Sequence, residues 1–342
     1  MITQHSPSVY ASWSNVRQRR HMTELATTAL ARYAVDVTSV RIVQHEFNTT
    51  CRVEGSLDGV AGRWALRLNA QGLRSPAETA AEVAWLDALR HETDIQVAAV
   101  VRSTAGEAMV SVPSEPLARD VVTVLFEWLP GRLVAEEPHP AVVRRLGRLT
   151  ALLHAHAEHW QSPAARALGR IDDARMGLDD HLAHLPMLDA GQRSIVREVA
   201  ERADETFSAL RSRHGGHVIH GDLHPGNLMT AAGTLSVLDF DDCGISHPLH
   251  DLSITAYYLR PAELEGALRA GYEEVRPWPD HDDHEFEHLV AARNLAILND
   301  TVTVNAAWVH DFLPRYIRNT ITKLRSYLDT GVFRHDVDGL VG

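Results

Sequence analysis

The sequence predicts an α+β protein of two lobes, a small β-rich half followed by a larger, mostly helical half, with a cleft between them. Three observations carry this reading. Up to residue 128 the apolar residues come in short Val-rich runs separated by turn signals such as Leu57-Asp58-Gly59, as in an antiparallel sheet. Leu129-Pro130-Gly131 then breaks the pattern. Beyond it, Val142, Val143, Leu146, Leu149, Leu152 and Leu153 recur at helical spacing. The expected division is a first lobe over 1–128, a connector over 129–132 and a helical lobe over 133–342. With 342 residues, 45% of them hydrophobic, the chain can build two domains of ordinary size.

Taken in order, residues 1–21 are expected to be peripheral, and 23–33 form a helix capped at Thr23. Residues 40–43 and 50–53 read as strands around a polar turn that spans His45 to Thr50, and 63–68 as a third strand. Residues 76–90 form a helix, with Pro76 near its start and Val83, Leu86 and Leu89 at helical spacing. Residues 97–102, 108–112 and 121–128 complete the sheet. After the long helix around Leu146, residues 161–215 add helical segments punctuated by Pro, Gly and Asp. Further helices are expected over 249–259, 262–272, 284–300 and 313–328.

Composition narrows the function. A formal net charge of −12 argues against nucleic acid as partner, because phosphate backbones are held by basic surface. No apolar run reaches the length of a membrane span. The polar start, Met1 to Tyr10, has neither the basic region nor the apolar core of a signal peptide. Cys51 and Cys243 lack metal-ligand spacing and read as free thiols of a cytoplasmic protein. The charge is concentrated beyond residue 130, where an acidic lobe suits Mg²⁺ and amine-bearing substrates and equally suits plain solubility. Lys323 is the only lysine, so any lysine-dependent step uses it or has passed to arginine.

The chemistry lies in His220-Gly221-Asp222-Leu223-His224-Pro225-Gly226-Asn227, followed by Asp239-Phe240-Asp241. Asp222 stands on a tight Gly-containing loop, an amide follows five residues later, and Asp239 ends the apolar run from Leu235. One acid can hold a hydroxyl nucleophile while Asn227 and Asp239 hold Mg²⁺, the set that phosphoryl transfer from ATP requires. Asp222 is therefore the candidate catalytic base or hydroxyl-orienting group, and Asn227 and Asp239 are the candidate metal ligands. Asp241 is open between a second ion, the substrate and a surface loop acid. His220 reads as support for the loop.

These two stretches resemble the HxDxxxxN and DxD signatures of the aminoglycoside phosphotransferase family, small-molecule kinases with a protein-kinase-like fold. Leu125-Phe126-Glu127-Trp128-Leu129-Pro130-Gly131 is similar to that family's interlobe hinge, and Leu149 to His154 to its first C-lobe helix. The resemblance runs from about residue 36 to 325. It implies an ATP- and Mg²⁺-dependent kinase whose acceptor is a small hydroxylated, amine-bearing molecule such as an antibiotic, homoserine or choline. It also places Arg67 where the family carries a phosphate-pairing lysine, a departure because the two are not interchangeable. Glu82 is its expected ion-pair partner, with Glu78 as competitor. No GxGxxG occurs; Asn48 and Thr49, in Glu46-Phe47-Asn48-Thr49-Thr50, resemble the hairpin that some members place over the phosphates. The backbone of Glu127 and Trp128 would meet adenine. The acceptor site would come from 155–215, the loop after Asp239 and the helices around Tyr257 and from Asn294 to Trp308. Gly221 stands where protein kinases carry Arg, so control by activation-loop phosphorylation through that Arg is not implied.

A Ser/Thr protein kinase of the same fold and a nucleotide-binding regulator without catalysis are the alternatives. His284-Glu285-Phe286-Glu287-His288 also satisfies HExxH, the zinc-hydrolase helix. The acidic segment before it reads instead as a solvated helix start. His154, His156 and His159 lie on one expected helix and read as core or surface histidines.

Overall fold

A computed structural model describes residues 9–134, 138–259, 262–304 and 307–341, apart from the side chains of Ala262, Ala307, Trp308 and His310. Helix α1 (Asn15–Leu30) begins earlier than the sequence suggests. Ser14 caps it, while the Thr23 hydroxyl donates to the Arg19 carbonyl inside the helix at 3.0 Å. The polar run before Thr23 conceals the buried stripe Gln18, Met22, Leu25 and Ala29, which lies against the sheet.

That sheet is antiparallel. Strands β1 (Val35–His45), β2 (Thr49–Leu57) and β3 (Val60–Leu68) form a meander, longer than the expected segments. Helix α2 (Pro76–Glu92) follows, started by Pro76 and a capping box between Ser75 and Glu78. The expected strand over 97–102 is divided. Strand β4 (Gln96–Val97) leaves to pair in parallel with a strand of the second half, and only β5 (Val100–Val101) joins the first sheet. With β6 (Val110–Ser114) and β7 (Arg119–Glu127) the order is β1-β2-β3-β7-β5, and β6 also pairs β7. The register sets Arg67 opposite Thr50 and Val124.

Helix α2 belongs by its packing to the second half as well. Ala81, Trp85, Leu86 and Leu89 share one buried core with residues of the helical lobe. The Trp85 indole N–H donates to His156 Nδ1 at 3.2 Å, and its ring meets Phe240 edge-on at 5.4 Å.

The second half opens with β8 (Arg132–Leu133) and α3 (Pro140–His159). Of the expected helical segments over 161–215, a short 3-10 turn (Pro163–Ala167) and the long α4 (Ala190–His214) form; most of the chain between them is irregular. Strands β9 (His217–Ile219), β10 (Leu228–Ala231), β11 (Thr234–Val237) and β12 (Gly244–Ser246) are short. They build two ribbons, β4-β11-β10-β8 and β12-β9, that carry the motif loops. Helices α5 (Pro248–Tyr258), α6 (Ala262–Tyr272), α7 (Asp283–Thr301) and α8 (Ala307–Thr330) follow, and α4, α5, α7 and α8 enclose a second core. Among the described residues no helix is long and apolar enough to cross a membrane.

Helices α3 and α6 meet backbone to backbone. A Cβ on Gly147 would stand 2.0 Å from the Leu268 carbonyl oxygen, and one on Gly271 1.7 Å from that of Arg144. Helix propensity alone favours Gly147→Ala by about 1 kcal/mol. The clash reverses the sign, because backbone must move, and overpacking costs about 1–3 kcal/mol or more. Urea denaturation of Gly147→Ala should therefore show a net loss of about 2 kcal/mol; a gain would mean that the helices part freely.

Candidate active site

The ribbon β9–β12 delivers the loop from His220 to Asn227. Gly221 has φ +83°, and a Cβ there would meet the Asp242 carbonyl oxygen at 2.3 Å, so the loop lies directly on the chain that follows Asp239. Its anchor is Asp251, in the first turn of α5 and fully buried. The carboxylate accepts the backbone N–H groups of His220 at 2.9 Å and Gly221 at 2.8 Å, and His154 Nε2–H at 3.1 Å. His154 is held in turn by Tyr272 Oη at 3.0 Å. Burial pushes the Asp251 carboxyl up, but His154 and the other partners outweigh it and bring it down to about 2.

His220 joins the two motif loops. Its Nε2–H donates to the Leu238 carbonyl at 2.9 Å, and its Nδ1 accepts the Asp222 N–H at 3.2 Å, which fixes the neutral tautomer. Burial lowers its pKa and keeps it neutral. The Asn227 amide donates to the Asp222 carbonyl oxygen and to Asp222 Oδ2, both at 2.8 Å. Those bonds use the nitrogen and leave Asn227 Oδ1 as an acceptor.

Asp239 adopts φ +61°, an uncommon left-handed backbone for a residue other than Gly, and lies beside Asp241. The Asp241 carboxylate, and burial after it, push Asp239 well above the usual carboxylate range. Asp241 feels burial upward too, but Arg67 holds it low, and the Asn48 side-chain amide donates to it. Burial, then Asp241 and Asp222, raise Asp242 to about 8. Crowded oxygens with too little positive charge around them suit a hard divalent cation. Among the described residues no group of three or more His, Cys, Asp or Glu side chains is arranged to hold a metal. The oxygen donors Asn227 Oδ1 and the Asp239 carboxylate are of the kind a hard cation such as Mg²⁺ takes when waters and phosphate oxygens complete its shell.

Arg67 reaches Glu82 Oε2 at 2.5 Å, and its guanidinium lies 5.4 Å from the Phe126 ring centroid. Burial works against its charge, but Glu82, Asp241 and Asp239 outweigh burial and raise its pKa. Glu78 instead accepts the Ser75 N–H at 2.9 Å and pairs with Arg74 at 3.4 Å. Arg67, Asn48, Asp222, Asn227, Asp239 and Asp241 all line one cavity of about 480 Å³ between the sheet and the helical half. Four of the expected residues do not, among them Glu82, which is buried and reaches the cavity only through Arg67. Thr49 is buried with its hydroxyl 2.7 Å from His45 Nδ1, and Thr50 lines the cavity in its place. The N–H groups of Glu127 and Trp128 are committed to the carbonyls of Ala99 at 2.8 Å and Arg63 at 3.2 Å, and neither residue lines the cavity.

Sequence reasoning missed Arg293. It projects from α7, is only 7% exposed, and donates to Asp222 Oδ1, to Tyr258 Oη at 3.3 Å and to Met176 Sδ at 3.2 Å. Burial raises the Asp222 carboxyl, but Arg293 and then His224 bring it below its ordinary value. The available signal was one Arg after the apolar run Leu289-Val290-Ala291-Ala292. Two of the three HExxH residues have other partners: Glu285 caps α7 with Asp282, and His288 Nδ1 contacts the Thr206 hydroxyl at 2.8 Å.

A model of the phosphotransferase enzyme family matches residues 46–284. Hydroxylysine kinase of Bos taurus is 28% identical over 195 residues, 50% of this chain and 50% of that protein. Amicoumacin kinase of Bacillus subtilis (strain 168) is 24% identical over 254 residues, covering 71% of this chain and 70% of the relative. Among solved structures, a microcompartment-associated aminopropanol kinase superposes with a TM-score of 0.70 at 25% identity, over 92% of this chain and 100% of the other.

The loop anchor has a measurable cost of removal. Asp251→Asn should destabilise the protein by about 3 kcal/mol at neutral pH, since it breaks a buried charge-assisted network. The folded-state pKa is depressed to about 2. The contribution is therefore complete above the ordinary Asp value of about 4 and is lost as pH falls toward the folded value. Denaturation curves of wild type and variant should converge between those limits; a constant gap would assign the cost to something other than this carboxylate.

Proposed function

The chain belongs to the phosphotransferase enzyme family, and we propose that it moves the γ-phosphoryl group of ATP, with Mg²⁺ as cofactor, to a hydroxyl of a small amine-bearing molecule. The observation that carries this reading is the convergence of Asp222, Asn227, Asp239, Asp241 and Arg67, the last held from behind the cavity lining by Glu82, on one cavity. In the proposed reaction the acceptor oxygen forms a bond to the γ-phosphorus. The bond from that phosphorus to the β–γ bridging oxygen breaks, and its electron pair leaves with ADP. The hydroxyl proton passes to Asp222, whose carboxylate Asn227 holds in place. Arg67 offsets charge on the phosphate oxygens. Asn227 Oδ1 and Asp239 would hold Mg²⁺, which when bound neutralises phosphate charge.

Residues 1–128 then act as the nucleotide-covering lobe, 129–132 as hinge and 133–342 as the lobe for catalysis and acceptor. Asp242 and Asp300 also line the cavity, and because an ammonium placed beside either carboxyl would favour its ionised form, they support an amine-bearing substrate, either a metabolite or an antibiotic. The names of two relatives, a hydroxylysine kinase and an aminopropanol kinase, support the same acceptor class. We place the enzyme in the cytoplasm, where ATP is at hand and the buried thiols of Cys51 and Cys243 stay reduced. Neither nucleic acid nor membrane is part of this reading.

Asp222→Asn should lower kcat for phosphate transfer by about 10²–10⁴-fold while MgATP binding by calorimetry changes little. Transfer at near wild-type rate would remove Asp222 from the chemistry. Arg67→Lys should raise KM for ATP about tenfold, because a shorter, compact ammonium cannot hold Glu82 and the Phe126 ring while offering several donors to phosphate oxygens. Unchanged ATP kinetics would show that only the charge matters at this position.

A further inference from the structure

Arg293 is a liability for the reaction as just described. Proton transfer to Asp222 does not call for a cation on that carboxylate, and the guanidinium weakens it as an acceptor. Nor is Arg293 well satisfied where it lies. Its Nη2 serves Asp222 and Tyr258, its Nη1 has only the thioether sulfur of Met176, and its buried Nε has no acceptor. A guanidinium carries five donors in a rigid fork made for a planar anion, and a buried one left part-filled is costly. Two turns along α7, Asp300 presents the complementary need. Residues 293, 297 and 300 share a helix face and line the same cavity, and Asp300 Oδ1 is buried without a partner. Burial raises the Asp300 carboxyl to about 7, against the pull of Arg293.

Resting on the transferase reading above, we infer that Arg293 is a specificity-determining residue that selects an acceptor bearing a carboxylate as well as an amine, with Asp300 facing the ammonium group. The acceptor is then a hydroxylated amino acid rather than a simple amino alcohol. Its carboxylate occupies the guanidinium fork, which loosens the hold of Arg293 on Asp222 and frees that carboxylate for the substrate hydroxyl. A purely cationic acceptor leaves Arg293 on Asp222 and adds repulsion.

The test uses matched probes that differ by one carboxylate: homoserine against aminopropanol, and hydroxylysine against its decarboxylated diamine. Calorimetric binding to the intact protein with MgADP present, and separately kcat/KM with MgATP, are measured for wild type, Arg293→Lys and Arg293→Gln. A charge-assisted fork predicts that at least one carboxylate-bearing probe is preferred over its partner by about 10- to 100-fold. The ratio should collapse toward one in Arg293→Gln and be partly restored in Arg293→Lys. A structural role would move both members of a pair together and leave the ratio intact. Preferential binding without phosphate transfer would uphold the assignment of Arg293 and overturn the transferase reading. Equal or better use of the carboxylate-free probes by wild type would overturn the assignment and leave the transferase reading standing.

Discussion

Four carboxylates, Asp222, Asp239, Asp241 and Asp242, share one cleft, and the arrangement around them answers their mutual repulsion. Two unit charges 4 Å apart interact by about 4 kcal/mol at an effective dielectric of 20. Positive and amide groups therefore arrive from several directions. Arg67 comes from β3, Asn48 from the β1–β2 hairpin, Arg74 from the turn just before α2 and Arg293 from α7. The bonds of Asn48 to Asp241 and of Arg74 to Asp242 link the first half to the helical half at the cleft, while Trp85 and its apolar neighbours link them behind it. On the proposed reading Mg²⁺ brings the remaining positive charge, and phosphate oxygens complete its coordination.

How much of this was legible in the sequence depended on the range of the interaction. The β-then-α order, α2 and the motif loops follow from local periodicity, turn residues and closely spaced polar side chains. Spacing also brought together Asp222 and Asn227, because five residues of tight loop leave the amide little choice. The pairing of Arg67 with Glu82 was reached by resemblance, and the capping role of Glu78 explains why the nearer acid does not compete. Contacts between distant segments were illegible. Asn48 and Asp241 lie 193 residues apart, and Arg293 and Asp222 lie 71 apart. His154 was read as a core or surface histidine; it is buried, and its bond to Asp251 gives it a hand in positioning the loop from His220 to Asn227. Thr49 and Thr50 show the smallest failure: alternation along β2 sends one inward and the other to the cavity, and a one-residue choice of face cannot be read from the turn alone.

The near absence of lysine has a structural counterpart. The Arg67 guanidinium lies near the Phe126 ring and bonds Glu82 through one nitrogen, which leaves its other donors for a ligand in a way a single ammonium does not. Lys323, the one lysine, lies on α8 and does not line the cavity. The arginines that line the cleft, Arg67, Arg74 and Arg293 among them, are thus always charged, so the electrostatics of the cleft are set by the carboxylates and by what binds there. On the proposed reading, Arg67 serves the phosphates and Arg293 the acceptor.

The most direct test follows the phosphorus atom itself. Wild-type protein with MgATP and a panel of hydroxylated amines is monitored by phosphorus NMR. The account predicts that, for at least one acceptor, the γ-phosphate signal is replaced by that of a phosphate monoester and ADP appears in equal amount. Release of inorganic phosphate alone across the panel, or an unchanged ATP spectrum with every acceptor despite demonstrable MgATP binding, would contradict it.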